Sequence, residues 1–555
     1  MGGASYPPYA NATKLTPGCG QSQQVNFSKD SRQRFIGRMF IQSVFLAFSL
    51  TLTLVFFLYG FNHYYLLIAA RRYKSPQLPI DVSGYRPEVA IHLPIYNEKY
   101  VIRRLVAACA RMAEKYGIER VKIVIIDDSN DDTADIVDEI VKKYREKRFQ
   151  IESLQRGCRQ GYKAGALQAA IDRTEEEFIA IFDADFVPPA EFLVATLPFF
   201  IQDEQLGIIQ CRWSHINREY NALTRAIATG IDVHFLIEQA GRYAAGCFQN
   251  FNGSGGIFRK KALLEAGGWQ ADTLAEDLDI SYRVQLCGYR ILYLRDIQSP
   301  GEVPMTVPSY KKQQGRWACG SLRTAKKLLP VLITNRNLGF KKRLEAFIHL
   351  TGYMVHPLMF TSYLLACLAT LWRVDIFRFA YIYSKFHDIV ELDATRATIE
   401  ILPQYLLWIL IGVMVLLCTI AAWIPPIVAL REQDLPLSRK ISSFLFLFLL
   451  GCGVSLSNTI EAGKALLTNQ NWAFKRTPKY AISYGKEGWK DKRYQVSLDY
   501  VCYLELACVC LGGISISYSV WSSNMGVLLI LIPFTIAYAF VFLLTILQSR
   551  REALS

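Results

Sequence analysis

Phe178-Ile179-Ala180-Ile181-Phe182-Asp183-Ala184-Asp185 joins five apolar residues, the length of a buried β-strand, directly to two carboxylates. Upstream the same arrangement recurs. Val121-Lys122-Ile123-Val124-Ile125-Ile126 reads as a strand ending at Asp127-Asp128, and Val89-Ala90-Ile91-His92-Leu93-Pro94 as a first strand before it. Residues 99–116 and 131–147 carry helical periodicity between these runs. Strands alternating with helices across the polar block 71–346 predict an α/β domain. In open α/β sheets ligands gather beyond the carboxyl ends of the parallel strands, which is where both acidic clusters fall.

The chain has 555 residues, 52 % of them hydrophobic, and a mean hydropathy of +0.17, so a soluble domain joined to a membrane part is expected. A net charge of +14 would suit nucleic acid, but the Lys and Arg residues cluster beside apolar runs, as they do at the cytosolic face of a membrane. No basic and aromatic constellation lies elsewhere, so a lipid bilayer is the expected partner and nucleic acid is not. The thirteen cysteines form no CxxC pair and have no His partners at zinc spacing; they read as reduced, buried small hydrophobes.

Residues 1–38 begin with a Gly-, Pro-, Ser-, Asn- and Gln-rich stretch lacking a cleavable-signal pattern and read as a flexible tail. Residues 39–70, nearly free of charge, then meet Arg71, Arg72 and Lys74, which predicts a transmembrane helix entering the cytosol. The runs 347–372 and 401–428, and later 498–521 and 526–548, each reach the roughly 20 residues a bilayer core requires, giving five spans, with 549–555 a short tail. The run 441–466 starts apolar but continues into Ser457, Asn458, Glu461 and Lys464. A crossing there would place the following loop, with Lys475, Arg476, Lys479, Lys486, Lys490, Lys492 and Arg493, on the outer side, so 429–497 reads as an interfacial helix and a cytosolic loop. Residues 305–335, with Lys311, Lys312, Arg316, Arg323, Lys326 and Lys327 among apolar positions, predict a second amphipathic helix on the membrane surface.

Four motifs carry the chemistry. Asp127 and Asp128, where a strand gives way to a turn, suit hydrogen bonds to a base or ribose, although Asp and Asn also favour turns and caps for their own sake. Asp183 and Asp185, two residues apart, project to the same side of an extended segment and offer oxygen ligands to a hard cation such as Mg²⁺ or Mn²⁺, which can bridge them to a diphosphate. Without a cation or another partner, paired carboxylates at the end of a buried strand would be costly. Glu276, Asp277 and Asp279 in TLAEDLDI follow the Gly-rich FNGSGGIFR, and a carboxylate there suits a general base or an N-terminal helix cap. QQGRW, Gln313–Trp317, combines an amide, a guanidinium suited to a diphosphate and an indole suited to a sugar face.

In that order, a strand-end Asp pair, DxD, ED and QxxRW resemble the processive family-2 glycosyltransferases: the cellulose, hyaluronan and chitin synthases, and especially the plant cellulose-synthase-like mannan and glucan synthases. The resemblance is strong over roughly 85–330 and looser across the flanking membrane plan. It implies a cytosolic GT-A domain with a Rossmann-like mixed sheet on an α-helical transmembrane part with interfacial helices. It further implies that Asp128 resembles the nucleotide-binding Asp, with Asp127 beside it, and that Asp185 resembles the metal-binding Asp of DxD, with Asp183 its companion. Asp277 matches the general base of the family's TED motif, where Glu276 is kept and Ala275 replaces Thr. Gln313, Arg316 and Trp317 match QxxRW, which touches the diphosphate and the acceptor sugar. Lys163 matches a basic position near the phosphates; Pro94, Tyr96 and Glu98 match the nucleotide-binding first loop; Asn252, Gly253 and Ser254 match the acceptor-lining turn. FKRTPK, Phe474–Lys479, is similar to the FxVTxK gating loop, with Arg476 for Val, so Thr477 and Lys479 are expected to close over the diphosphate.

The expected activity is an inverting, metal-dependent, processive glycosyltransferase making a β-linked polysaccharide, with β-1,4-mannan, glucan or glucomannan favoured. Its donor would be UDP-glucose or GDP-mannose, its acceptor a glycan, and translocation across the membrane would accompany synthesis. The rivals are a non-processive transferase acting on a lipid acceptor and a transporter or channel with an inactive nucleotide-binding sensor domain. A multi-pass protein with its catalytic domain in the cytosol is expected, at the plasma membrane, or in the Golgi of a eukaryote. The sequence leaves open an export partner or a homo-oligomer.

Overall fold

The computed structural model describes residues 29–77, 84, 86–201, 203–372, 394–468, 479 and 499–553. Most of the expected tail, Thr477 and all of the gating-like loop except Lys479 lie outside the described residues. The α/β domain is built on seven strands: β1 Val89–Ile95, β2 Val121–Asp127, β3 Gln150–Gln155, β4 Phe178–Ile181, β5 Leu206–His215, β6 Gly256–Arg259 and β7 Arg290–Gly301. Their order across the sheet is β3-β2-β1-β4-β6-β5-β7. The first four are parallel, β6 runs antiparallel between β4 and β5, and β5 pairs parallel with β7, which makes the sheet mixed.

Register decides what the sheet presents. Ile95, Asp127 and Gln155 are level across β1, β2 and β3, so the next residues, Tyr96, Asp128 and Arg156, leave the same edge side by side. β4 stops at Ile181 opposite His92, and the chain beyond it carries Asp183 and Asp185 across that edge. Val89, Ile91 and Leu93 on one face of β1, with Ile123 and Ile125 of β2, form the core that holds this edge rigid.

Among the described residues, five helical stretches are long and apolar enough to cross a membrane: Ser43–Ala70, Gly352–Leu371, Gly412–Arg431, Val501–Trp521 and Leu528–Ser549. The segment expected as one interfacial helix over 441–466 is instead a pair, Leu437–Gly453 and Ser455–Leu467, bent by 43° at Val454, and by length and composition the pair would also serve as a broken span. Its polar half turns inward: Asn458 is buried, and the helix packs against Val307–Thr334, where Gly315 gives room to Glu461.

The helix Val307–Thr334, close to the 305–335 expected, is mostly buried within the protein. It is sandwiched between the helix Glu276–Leu286 and the helices Ser455–Leu467 and Leu528–Ala553, and its cations find partners inside the protein. Lys327 lies 2.9 Å from Asp279, and Lys311, 9 % exposed, lies 2.6 Å from Glu505, which is fully buried in the helix Val501–Trp521. Basic spacing that resembles lipid snorkelling is here spent on buried carboxylates far along the chain. Lys311→Met leaves Glu505 buried and unpaired, a change that costs about 3–5 kcal/mol. A fall in the detergent melting temperature, relieved by adding Glu505→Leu, is the expected result.

All twelve cysteines among the described residues are free thiols, but Cys158, Cys287 and Cys510 are exposed rather than buried.

Candidate active site

Beyond the carboxyl edge of β1, β2 and β4 the chain encloses a cavity of about 190 Å³. Asp128, Asp183, Asp185, Glu276 and Asp277 share its wall with Lys163, Arg316, Trp317 and Lys479. Pro94, Tyr96, Glu98, Asn252, Gly253 and Gln313 complete the set of sequence-predicted residues that reach it. Among the described residues, two predicted ones do not. Asp127, the last residue of β2, is 3 % exposed; its Oδ1 accepts the Ser129 N–H at 2.9 Å, and burial pushes its carboxyl up. Strand alternation explains this, since adjacent acids at a strand end point to opposite sides. Ser254 is fully buried behind the wall, where its hydroxyl accepts the Asp183 N–H at 3.0 Å and so supports the DxD backbone.

Asp128 is held by a guanidinium. Arg156 Nε donates to Oδ1 at 2.9 Å, Nη2 donates to Oδ2, and Arg159 lies over the Tyr96 ring at 3.4 Å from its centre. Neither arginine was visible as a site residue in the sequence, because β3, QIESLQ, is too polar to read as a strand. Recognising that strand would have placed Arg156 beside Asp128.

Lys163 is the electrostatic hub. It enters from the first turn of the helix Tyr162–Ile171, and its Nζ lies 2.6 Å from Asp183, 3.6 Å from Glu276 and 2.9 Å from the Gly253 carbonyl. Burial works to lower its pKa, but Asp183, Glu276 and Asp277 together outweigh that and hold it above the ordinary lysine value. Burial raises Asp183 against the pull of Lys163. Lys479 forms an ion pair with Asp185, beside which Glu302 accepts from Arg104 at 2.6 Å.

Asp277 sits in the first turn of the helix Glu276–Leu286 and accepts the Leu278 N–H at 2.8 Å. Burial, then the like charge of Glu276, push its carboxyl up to about 7 against the opposing pull of Lys163. A carboxyl poised there suits proton abstraction near neutral pH. Its neighbour in TLAEDLDI, Asp279, is instead fully buried and ion-paired to Arg283 and Lys327. Gly253 fits against Asp277 with φ +86°, and a Cβ there would lie 2.9 Å from Asp277 Oδ2 and 3.3 Å from Lys163 Nζ. Gly253→Ala is therefore strained and displaces the carboxylate. Turnover about a hundredfold lower in a chain that still melts as a folded protein is the expected result.

No group of three or more His, Cys, Asp or Glu side chains among the described residues forms a cage for a metal ion. Asp183 and Asp185 nevertheless fit a Mg²⁺ or Mn²⁺ whose remaining positions are filled by phosphate oxygens and water, because such ions are commonly held by one or two carboxylates. The ammonium groups of Lys163 and Lys479 now supply the positive charge that these two acids require.

Residues 87–320 match the family model described as "Glycosyltransferase like family 2". A protein of Arabidopsis thaliana named "Probable glucomannan 4-beta-mannosyltransferase 3" is 32 % identical over 66 % of this chain and 67 % of its own length. "Glucomannan 4-beta-mannosyltransferase 1" of Oryza sativa subsp. japonica is 30 % identical over 68 % of this chain and 74 % of its own. The chain belongs to glycosyltransferase family 2. A mannosyltransferase from Pyrobaculum calidifontis, solved in complex with GDP-Man and Mn²⁺, covers 67 % of this chain and 97 % of its own at 19 % identity and a TM-score of 0.42.

The matched stretch of this family 2 glycosyltransferase, 87–320, contains every cavity residue named above except Lys479. On the far side of Asp277, Asn252, Gln313 and Trp317, a second cavity of about 450 Å³ opens. Its walls include Tyr59 and His63 from the membrane helix Lys29–Ala70, and Tyr353 and His356 at the head of the span Gly352–Leu371.

Proposed function

We propose that this glycosyltransferase polymerises a β-linked polysaccharide, with β-1,4-mannan, glucan or glucomannan favoured, from GDP-mannose or UDP-glucose by single in-line displacement. The observation that carries the reading is the meeting of the two cavities at Asp277, with Asn252, Gln313 and Trp317 around it. On one side lie the acids and cations suited to a nucleoside diphosphate; on the other, a path walled partly by membrane helices and roomy enough for a sugar.

In this reading Asp128 and Tyr96 hold the nucleoside, with Pro94 and Glu98 of the same loop and Asp127 as support beneath. Lys163 and Arg316 face the diphosphate, and Thr477 and Lys479 close over it. A divalent cation bound at Asp183 and Asp185 would neutralise charge on the departing diphosphate. Asp277, its pKa kept high by burial and by Glu276, takes the proton of the acceptor hydroxyl as that oxygen attacks the anomeric carbon from the face opposite the leaving group. Configuration inverts, and an α-linked donor yields a β-linkage. Gln313 and Trp317 orient the acceptor sugar, on the turn Asn252-Gly253 that Ser254 anchors.

The larger cavity supports passage of the growing chain toward the membrane, and hence processive synthesis with export, by this polypeptide alone, as a homo-oligomer or with an export partner. The catalytic domain would face the cytosol from the plasma membrane or a Golgi membrane. Product length tests the processive half: with a short acceptor in excess, long chains should appear before all of the acceptor has been used. Products lengthened by one sugar only would return the assignment to single transfer, as to a lipid acceptor.

A further inference from the structure

A short π-helical turn, His234–Gln239, interrupts the helical run between Ala222–Val233 and Ala240–Ala244 on the wall of the larger cavity. Such turns are rare and are frequently found at functional sites. Its residues His234 and Glu238 both line the cavity, half-buried, and from His234 polar contacts run two ways. Toward the catalytic centre, Asn252 Nδ2 lies 2.9 Å from His234 Nε2. Away from it, His234 Nδ1 lies 3.0 Å from Glu238 Oε2, Arg242 approaches the same oxygen at 3.5 Å, and Arg242 Nε donates to Glu345 at 2.8 Å.

The direction of this chain is fixed by what each group is able to give. Asn250 Nδ2 donates to Asn252 Oδ1 at 2.8 Å, so the amide nitrogen of Asn252 is left facing His234. Nε2 of His234 must then be the bare nitrogen, and the ring proton sits on Nδ1, donated to Glu238. Neighbouring Arg242 and Glu345 are almost fully buried, yet Arg242 Nη1 and Glu345 Oε2 find no hydrogen-bond partner among the described residues. Well-packed apolar residues would hold the same helices at lower cost, so stability alone does not account for the arrangement. What the chain does accomplish is to lock the side chain of Asn252, one residue before the glycine that packs against Asp277.

We infer that His234 is a positioning residue for the acceptor: through Asn252 it fixes the turn on which the incoming hydroxyl rests in front of Asp277. This deepens the proposed function and rests on it. The test uses the full-length chain in lipid nanodiscs with GDP-mannose as donor and β-1,4-mannotetraose as added acceptor. His234→Leu should raise the KM for mannotetraose about tenfold, the equivalent of one lost hydrogen bond in a buried network, with a smaller change in kcat at saturating acceptor. His234→Gln, whose amide oxygen can stand where Nε2 did, should recover most of that KM. Glu238→Met, which removes the acceptor of the Nδ1 proton and frees that proton to move to Nε2, should raise the same KM and carries the test if His234→Leu is not recovered folded. A fall in kcat alone, a His234→Gln KM no better than that of His234→Leu, or a Glu238→Met KM equal to that of the wild type overturns the inference. A wild-type chain that elongates nothing instead removes the proposed function, and the inference with it.

Discussion

Asp277→Asn is expected to lower sugar transfer by a factor of about 10³, within the range that a positioned general base contributes. The amide keeps the shape of the side chain and its bond from the Leu278 N–H, so the helix Glu276–Leu286 should survive and the loss should fall on turnover rather than folding. The pH profile supplies the diagnostic. A base works only when deprotonated, and burial together with Glu276 places this carboxyl at about 7. In the wild type, kcat/KM should therefore climb about tenfold per pH unit below that value and level off above it. The residual rate of the Asn variant should lack this limb. A variant that keeps the same acid limb would mean that another group accepts the proton.

Asp185→Asn is expected to cost at least as much, about 10³ in turnover, because stabilising charge on the leaving group is usually the largest single contribution to a reaction of this kind. In the wild type, chelation should abolish transfer and added Mn²⁺ or Mg²⁺ should restore it, whereas the Asn variant should stay inactive at millimolar metal. Lys479 pairs with Asp185 and is the obvious rival for the cation's place. Activity that survives chelation intact would assign the charge stabilisation to Lys163 and Lys479 alone.

Much of this arrangement was legible in the chain itself, and the reasons differ by element. β1, β2 and β4 announce themselves because strands buried on both faces are continuous apolar runs, and the acids just beyond β2 and β4, Asp128, Asp183 and Asp185, stand where the apolar runs stop. The edge strand β3 is half polar and passed unseen, and with it Arg156, the partner of Asp128. Periodicity gave the helix over 305–335 nearly its observed bounds, Val307–Thr334, but not its surroundings. The carboxylate that takes Lys311, Glu505, is brought in by a membrane helix near the far end of the sequence, and pattern alone gives no hint of that pairing. The difference between Asp127 and Asp128 is likewise a matter of which side of the strand end each faces. His234 gave no sequence signal, because a π turn has no composition of its own.

In the proposed reaction, acids drawn from separate stretches of the chain act on one activated sugar to build a β-linked glycan. The most direct test supplies the purified full-length protein in nanodiscs with labelled GDP-mannose, UDP-glucose or UDP-N-acetylglucosamine, each in separate reactions with Mn²⁺, and digests the products with linkage-specific hydrolases. A labelled polymer from GDP-mannose or UDP-glucose that a β-1,4-mannanase or a β-1,4-glucanase degrades, and that Asp277→Asn does not make, is the expected result. Transfer from none of the three donors, or a product with α-linkages, would contradict it.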